Sequence, residues 1–139
     1  MKKTTPILVK DVMKHHVDFV DGMKTVKEAL QEMRHIETKT LIVNKRHEHD
    51  EWGIVIIGDI ARMVLAGDKS VERTNVYEIM TKPTITISQD MDIRYCARMF
   101  EQFGLSRAPV VKHGEIVGIV SYTDMVLKGL CNFSGDKDK

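Results

Sequence analysis

The chain is short of most features that announce a function. It has 2 cysteines in 139 residues, Cys96 and Cys131, and no Cys-x-x-Cys pair. That argues against a disulfide framework and makes a reducing cytoplasm the expected location. Cys96 falls on an apolar helical face, where a thiol behaves as a small hydrophobe. No apolar run approaches the roughly 20 residues that cross a bilayer. After Met1 to Pro6 only Ile7-Leu8-Val9 precede the next charge, too short for the core of a signal peptide. Lys and Arg number 21 against 20 Asp and Glu, a net charge of +1. This balance leaves no basic footprint for nucleic acid or an anionic membrane. Catalytic signatures are also missing: no His-Glu-x-x-His, no Gly-rich phosphate loop, no nucleophile elbow, no pair of Glu on one face. Nothing argues for an enzyme. With 42% hydrophobic and 29% charged residues, a soluble globular domain of ordinary size is expected.

What the chain does have is a duplication. Val12-Met13 returns as Ile79-Met80, 67 residues on. Thr25 to Leu30 returns at the same offset as Asp92 to Ala97, and Leu41-Ile42-Val43 answers to Ala108-Pro109-Val110. Gly53 to Asp59 answers to Gly118 to Asp124 at an offset of 65. The first copy therefore carries two extra residues in the charged loop Asn44 to Glu51, where a surface hairpin absorbs them.

Both copies predict the same elements in the same order. A short strand opens each, near Val17 to Val20 and Thr84 to Ile87. A helix follows, with apolar stripes at Val26, Ala29, Leu30 and Met33 and at Ile93, Cys96, Ala97, Phe100 and Phe103, the spacing of one helical face. Two apolar strands joined by a hairpin come next, with Lys112 to Glu115 as the second hairpin loop. A short helix closes each copy, Ile60 to Ala66 and Met125 to Gly129. The expected fold is α/β (α+β), β-α-β-β-α twice, as two repeats related by a pseudo-two-fold axis. A copy of about 60 residues is marginal alone, because small units bury too little surface. The expected division is 8–66 for the first repeat, 67–75 for a polar linker, 76–130 for the second repeat and 131–139 for a frayed tail.

The chemistry concentrates where the last strand of the second copy meets its helix, at Gly118 to Asp124. Two hydroxyls and a carboxylate, Ser121, Thr123 and Asp124, stand at that turn. Such a junction points backbone N–H groups outward and suits a phosphate. An adjacent Asp can accept from a ribose diol. The same residue types are also common helix caps and first-turn acids, and Ser121 and Asp124 can serve both ends. Elsewhere, His47 to Glu51 reads as a solvated hairpin tip in preference to a metal site. The His15-His16 pair reads the same way, with His16 a candidate to line a cleft. Trp52 suits core or interface. Met13, Met33, Met80 and Met99 read as adaptable core, while Met63 and Met125 are candidates for a dimer face.

These words, in this order and spacing, resemble the CBS-domain family over roughly Val9 to Leu130. The likeness is carried by Val12-Met13 and Ile79-Met80, Thr25 to Ala29, Ser106 to Val111, and Gly118 to Asp124. It implies a tandem pair, or Bateman module, that binds AMP, ADP or ATP between its copies, with NAD or S-adenosylmethionine as further candidates. It also implies a non-catalytic regulator, a homodimer and a regulated partner protein. A dimerisation scaffold with empty clefts is the alternative. By the resemblance, Asp124 holds the ribose and Ser121 the phosphate, with Thr123 adding a hydroxyl or a cap. Arg107 reaches the phosphate or serves as a surface arginine. Thr38, Lys39, Thr40, His16 and Val17 hold the base. The first copy keeps Asp59 but has Ile56 at the hydroxyl position and Thr40 where Arg107 stands. Asp59, with Ser106 and Thr84, marks a weaker second site. No metal is expected.

Overall fold

A computed structural model describes residues 5–131. Beyond Cys131, the expected frayed tail lies outside the described residues. The described residues divide into two compact units: residues 16–84, and residues 5–15 together with 85–131. We call these the first and second unit. Each holds one mixed three-stranded sheet and its own apolar core.

In the first unit, β1 (Asp18–Val20) runs parallel to β2 (Thr40–Val43), which pairs antiparallel with β3 (Gly53–Ile56). The parallel step needs a crossover, and α2 (Val26–Glu32) supplies it. Thr25 and Glu28 form a reciprocal capping box at its start, with the Glu28 N–H donating to Thr25 Oγ1 at 3.1 Å and the Thr25 N–H to Glu28 Oε1 at 2.9 Å, the Thr-x-x-Glu signature of a helix start. All of β2 is buried, as the apolar run Leu41-Ile42-Val43 requires. Beyond β3 comes α3 (Ile57–Ile60), which continues into a π-helical turn, Ala61–Leu65.

The second unit repeats this plan. β4 (Ile87–Ser88) runs parallel to β5 (Arg107–Lys112), and β5 pairs antiparallel with β6 (Glu115–Ser121). Pro109 is tolerated in the central strand because β4 pairs only with Val110 and Val111, so its missing N–H leaves no bond to β4 unmade. The β5–β6 turn places His113 at φ 52° and Gly114 at φ 82°, the two left-handed residues of a tight type I′ hairpin. α4 (Ile93–Phe103) is capped by Asp92 and ends on Gly104 at φ 67°, a left-handed stop that glycine adopts without strain. α5 (Tyr122–Asp124) continues into a π-helical stretch, Met125–Leu130.

The packing units and the sequence repeats are different divisions. The segment preceding β1 holds α1 (Val9–Val12), and it packs into the second unit. Residues 76–84 pack into the first unit. The bonds that dock these segments match at the 67-residue offset. The Val9 N–H donates to Met91 O and the Lys10 N–H to Gln89 O; the Val76 N–H donates to Lys24 O and the Tyr77 N–H to Gly22 O. Lys14 then bridges Ile119, and Thr81 bridges Ile54, each through two backbone bonds. Val9, Val12 and Met13 thus complete one core, and Val76 and Ile79 the other.

The polar stretch 67–75 belongs to the first unit. Thr74 is buried and its carbonyl accepts from the Val26 N–H at the start of α2, while Val71 packs on the core. Met125 is buried at 4% exposure in the second core, so it is no dimer-face residue; Met63 is exposed. A helix of this length must cover its own sheet first, and Met125 is the residue that does so. Leu30 and Phe103, placed on the apolar stripes, are also exposed. Among the described residues, no helix is long and apolar enough to cross a membrane.

Candidate functional site

The second unit's strand-to-helix junction gathers charge. Ser121 ends β6 and caps α5: its Oγ accepts from the Asp124 N–H at 3.2 Å and donates to Asp124 Oδ2 at 3.1 Å. Asp124 is buried at 4% exposure. Its carboxylate accepts both of its shortest bonds from Lys14 Nζ, at 2.7 Å to Oδ1 and 2.9 Å to Oδ2. Lys128 Nζ lies 3.8 Å from Oδ1. Arg107 sits opposite Ser121 in the β5–β6 register. Burial pulls its guanidinium down from the ordinary value, and the negative charge of Asp124 opposes that shift. One carboxylate therefore sits within the field of three cations. Thr123 is exposed beside it.

Lys14 was not legible as a site residue. Its role depends on its backbone bridge to Ile119 of β6, and no local pattern signals a pairing across a hundred residues. Lys128 carried a signal, since four residues separate it from Asp124 along the helical stretch.

The first unit's junction is built on the same frame with different groups. Asp59 Oδ2 accepts from the Ile56 N–H at 2.9 Å, and Oδ1 from the Arg62 guanidinium. Ile56 offers no hydroxyl. Thr40 takes the place of Arg107, and its Oγ1 donates to Thr38 O at 2.8 Å. Thr38 is buried, and its own hydroxyl donates to His35 O at 2.9 Å. Both threonine hydroxyls therefore spend their protons on the backbone of this turn. Lys39 holds a left-handed conformation at φ 55°, and its carbonyl accepts from the Ile57 N–H. Ser106 O accepts from the Tyr122 N–H in the second unit, in the matching position.

Of the residues expected to hold a base, His16 is exposed and stacks on His35, ring centroids 4.4 Å apart and 9° from coplanar. Val17 is half-buried just before β1. Asp18, which the sequence reading passed over, is buried and accepts from the Arg34 and His35 N–H groups at 3.0 and 2.8 Å. It fixes the turn that carries His35. Thr84 donates its N–H to Trp52 O, in the first unit. The structure thus brings Asp124, Ser121 and Arg107 together in one unit, and places Thr38, Lys39, Thr40, His16 and Val17 in the other, with Asp59.

At the charged hairpin, Asp50 accepts from Lys82 Nζ and the Arg46 N–H, both at 2.7 Å. The Lys82 bond chiefly holds its carboxyl well below the usual carboxylate range. Trp52 packs tilted against Phe19 at 5.7 Å, with Lys45 over its ring at 5.3 Å.

Comparison with known proteins agrees with this architecture. Residues 76–129 match the family model for the CBS domain. A hexameric CBS-CP12 protein from bloom-forming cyanobacteria superposes with a TM-score of 0.84 at 34% identity, over 90% of this chain and 69% of that one. A CBS domain pair crystallised with 5′-methylthioadenosine and S-adenosyl-L-methionine superposes with a TM-score of 0.74 at 26% identity, over 93% of this chain and all of that one. An uncharacterised protein of Methanopyrus kandleri is 27% identical over 86% of this chain, and the matched region spans 61% of that relative's length. The chain belongs to the CBS-domain family and carries a pair of CBS repeats.

Proposed function

We propose that this chain is a non-catalytic regulatory module that binds an adenosine nucleotide, AMP, ADP or ATP, at the Asp124 junction. The observation that carries the reading is the charge balance there: one buried carboxylate among Lys14, Lys128 and Arg107. A carboxylate suits the ribose diol, and neighbouring cations suit a phosphate. The family neighbour crystallised with two adenosyl compounds supports the adenosine part of the assignment. Lys14 comes from a segment distant in sequence, and 26% of its side chain is exposed. A phosphate that draws Lys14 away from Asp124 frees the carboxylate for the sugar. Binding would then favour one setting of the N-terminal segment over another, and a partner protein would read the difference, limited by the ligand's differential affinity for the two. A homodimer and a cytoplasmic location complete the proposal.

The Asp59 junction has one carboxylate, one guanidinium and no hydroxyl at position 56. It suits an uncharged adenosine-type ligand, weakly held.

Calorimetry on protein stripped of co-purifying ligand tests the main site. Asp124→Ala should weaken AMP and adenosine alike, by about tenfold or more, the loss expected for bonds to a charged group. Arg107→Gln should weaken AMP while leaving adenosine little changed. Unaltered AMP affinity in Asp124→Ala ends the reading.

A second reading rests on the same pair. Asp124 is already satisfied by Lys14 and Ser121, as an interaction scaffold with empty junctions would be. Mass spectrometry of the denatured protein separates the two, together with melting shifts across a nucleotide panel. A ligand at 100 times its dissociation constant adds about 2.7 kcal/mol. A flat panel with no co-purified nucleotide favours the scaffold.

A further inference from the structure

The first unit has a cavity of about 430 Å³ that belongs to neither junction. It lies beside Gly22, just after β1, and Val43, the last residue of β2. Asp59 follows β3 at the opposite end of the same sheet, since Ile56 pairs with Thr40 and Gly53 with Val43. Met23, Tyr77 and Met80 supply apolar wall, and Arg46 stands among the lining residues.

The second unit shows why the space exists. The backbone bond from Tyr77 to Gly22 has its counterpart in the bond from Lys10 to Gln89. There, Lys10 Nζ pairs with Asp90 at 3.2 Å across the equivalent position. The first unit replaces that ion pair with Tyr77 and Met23, and replaces Gln89 with a glycine. A Cβ at Gly22 would lie 3.3 Å from Val43 Cγ1 and 3.6 Å from Tyr77 Cβ. The wall is therefore apolar and open where its twin is bridged by charge. The loop with two extra residues then adds Arg46. Asp50 binds the Arg46 backbone N–H and the Lys82 amine. No carboxylate lies within ion-pair reach of the Arg46 guanidinium among the described residues.

We propose that this cavity binds a small organic anion with an apolar body, a carboxylate or a phosphate monoester. The body would lie against Val43, Met23 and Met80, and the anion would take the Arg46 guanidinium, whose planar fork matches both acid types. The volume falls in the range of ordinary ligand pockets, roughly 300–1,000 Å³.

The protein carries its own reporter. Trp52 is the single tryptophan, and with Asn44 and Arg46 it lines the adjoining depression. The full chain is titrated with 4-phenylbutyrate, phenyl phosphate and the uncharged 4-phenylbutanol, read by tryptophan fluorescence and calorimetry. At least one anion should bind at one site and outcompete the alcohol by about tenfold. The stronger of the two anions identifies the acid class. Arg46→Gln, an exposed substitution, should lower anion affinity about tenfold and leave the alcohol unchanged. The double variant Met23→Asp, Tyr77→Lys installs the bridge of the second unit and should abolish binding of all three; a melting curve confirms that it folds. Failure of both anions to bind, equal affinity for the alcohol, or anion binding indifferent to Arg46→Gln would overturn the proposal.

Discussion

The two strand-to-helix junctions share a backbone and differ in almost every group that matters. In both, an Asp stands three residues beyond the end of the last strand. In both, a segment from outside the repeat adds one antiparallel bridge to that strand. At Asp59 the bridging residue is Thr81, and the carboxylate turns to Arg62 within its own helix. At Asp124 the bridging residue is Lys14, and its amine reaches the carboxylate from 110 residues away. One junction is closed locally and neutral. The other is closed by a cation from a distant segment, with two further cations beside it. A duplicated scaffold thus holds its geometry through backbone bonds, while its chemistry is reset by a handful of side chains.

The scaffold half of that comparison is tested by the glycines under the bridges. A Cβ on Gly118 would collide with the Lys14 carbonyl oxygen and lie 2.8 Å from Met13 Sδ. The corresponding Cβ on Gly53 would meet Met80 Sδ at 3.1 Å and Thr81 O at 3.4 Å. Overpacking a tight site costs about 1–3 kcal/mol. Gly118→Ala should sit at or above the top of that range and Gly53→Ala near the bottom, measured by urea denaturation. Equal costs would mean that the two bridges press on their strands alike.

The chemical half is tested by removing each cation. Lys14→Met leaves Asp124 buried with Lys128 and Arg107 as its remaining positive neighbours. Truncating one member of a buried pair costs 3–5 kcal/mol in full burial; with Lys14 at 26% exposure and two cations left, about 1–2 kcal/mol is expected. Arg62 is 67% exposed, and Arg62→Met should cost about 0.5 kcal/mol or less. Thermal unfolding of the two variants gives the ordering. A larger loss for Arg62→Met would reverse the assignment of which carboxylate is held in a structural pair.

Much of this arrangement was legible in the chain because it is local. The β5–β6 hairpin and the alternation of elements each rest on neighbouring residues. The Ser121 cap on Asp124 is likewise a three-residue signal. The exchange of segments between units was not legible, since the apolar residues of α1 and of residues 76–84 suit either core, and the backbone bonds that dock them carry no sequence signal. Lys14 was lost for that reason. Met125 was misplaced for a related one: a short helix leaves open which of its faces meets the sheet, and only the packed core decides.

One matched position separates the two cores. Cys96 on α4 corresponds to Ala29 on α2, and both are buried. Burial pushes the Cys96 thiol up to about 11 from its ordinary 9.0. Below pH 9 the thiol is protonated in folded and unfolded chains alike and contributes no pH dependence. Between about 9 and 11 the unfolded chain releases the proton while the folded chain keeps it, so stability falls as pH rises, by at most about 1.4 kcal/mol per unit. Cys131 is exposed and adds little to that difference. Cys96→Ala places the alanine of the first unit in the second. It should start about 1 kcal/mol below the parent because the sulfur's contacts are lost. That deficit should shrink and then reverse as denaturation is repeated from pH 9 to 11, because the variant has no buried thiol whose proton the unfolded chain can release. A deficit that stays constant across the range would show that the α4 face is open enough for Cys96 to ionise in place, and that the two cores differ in more than one atom.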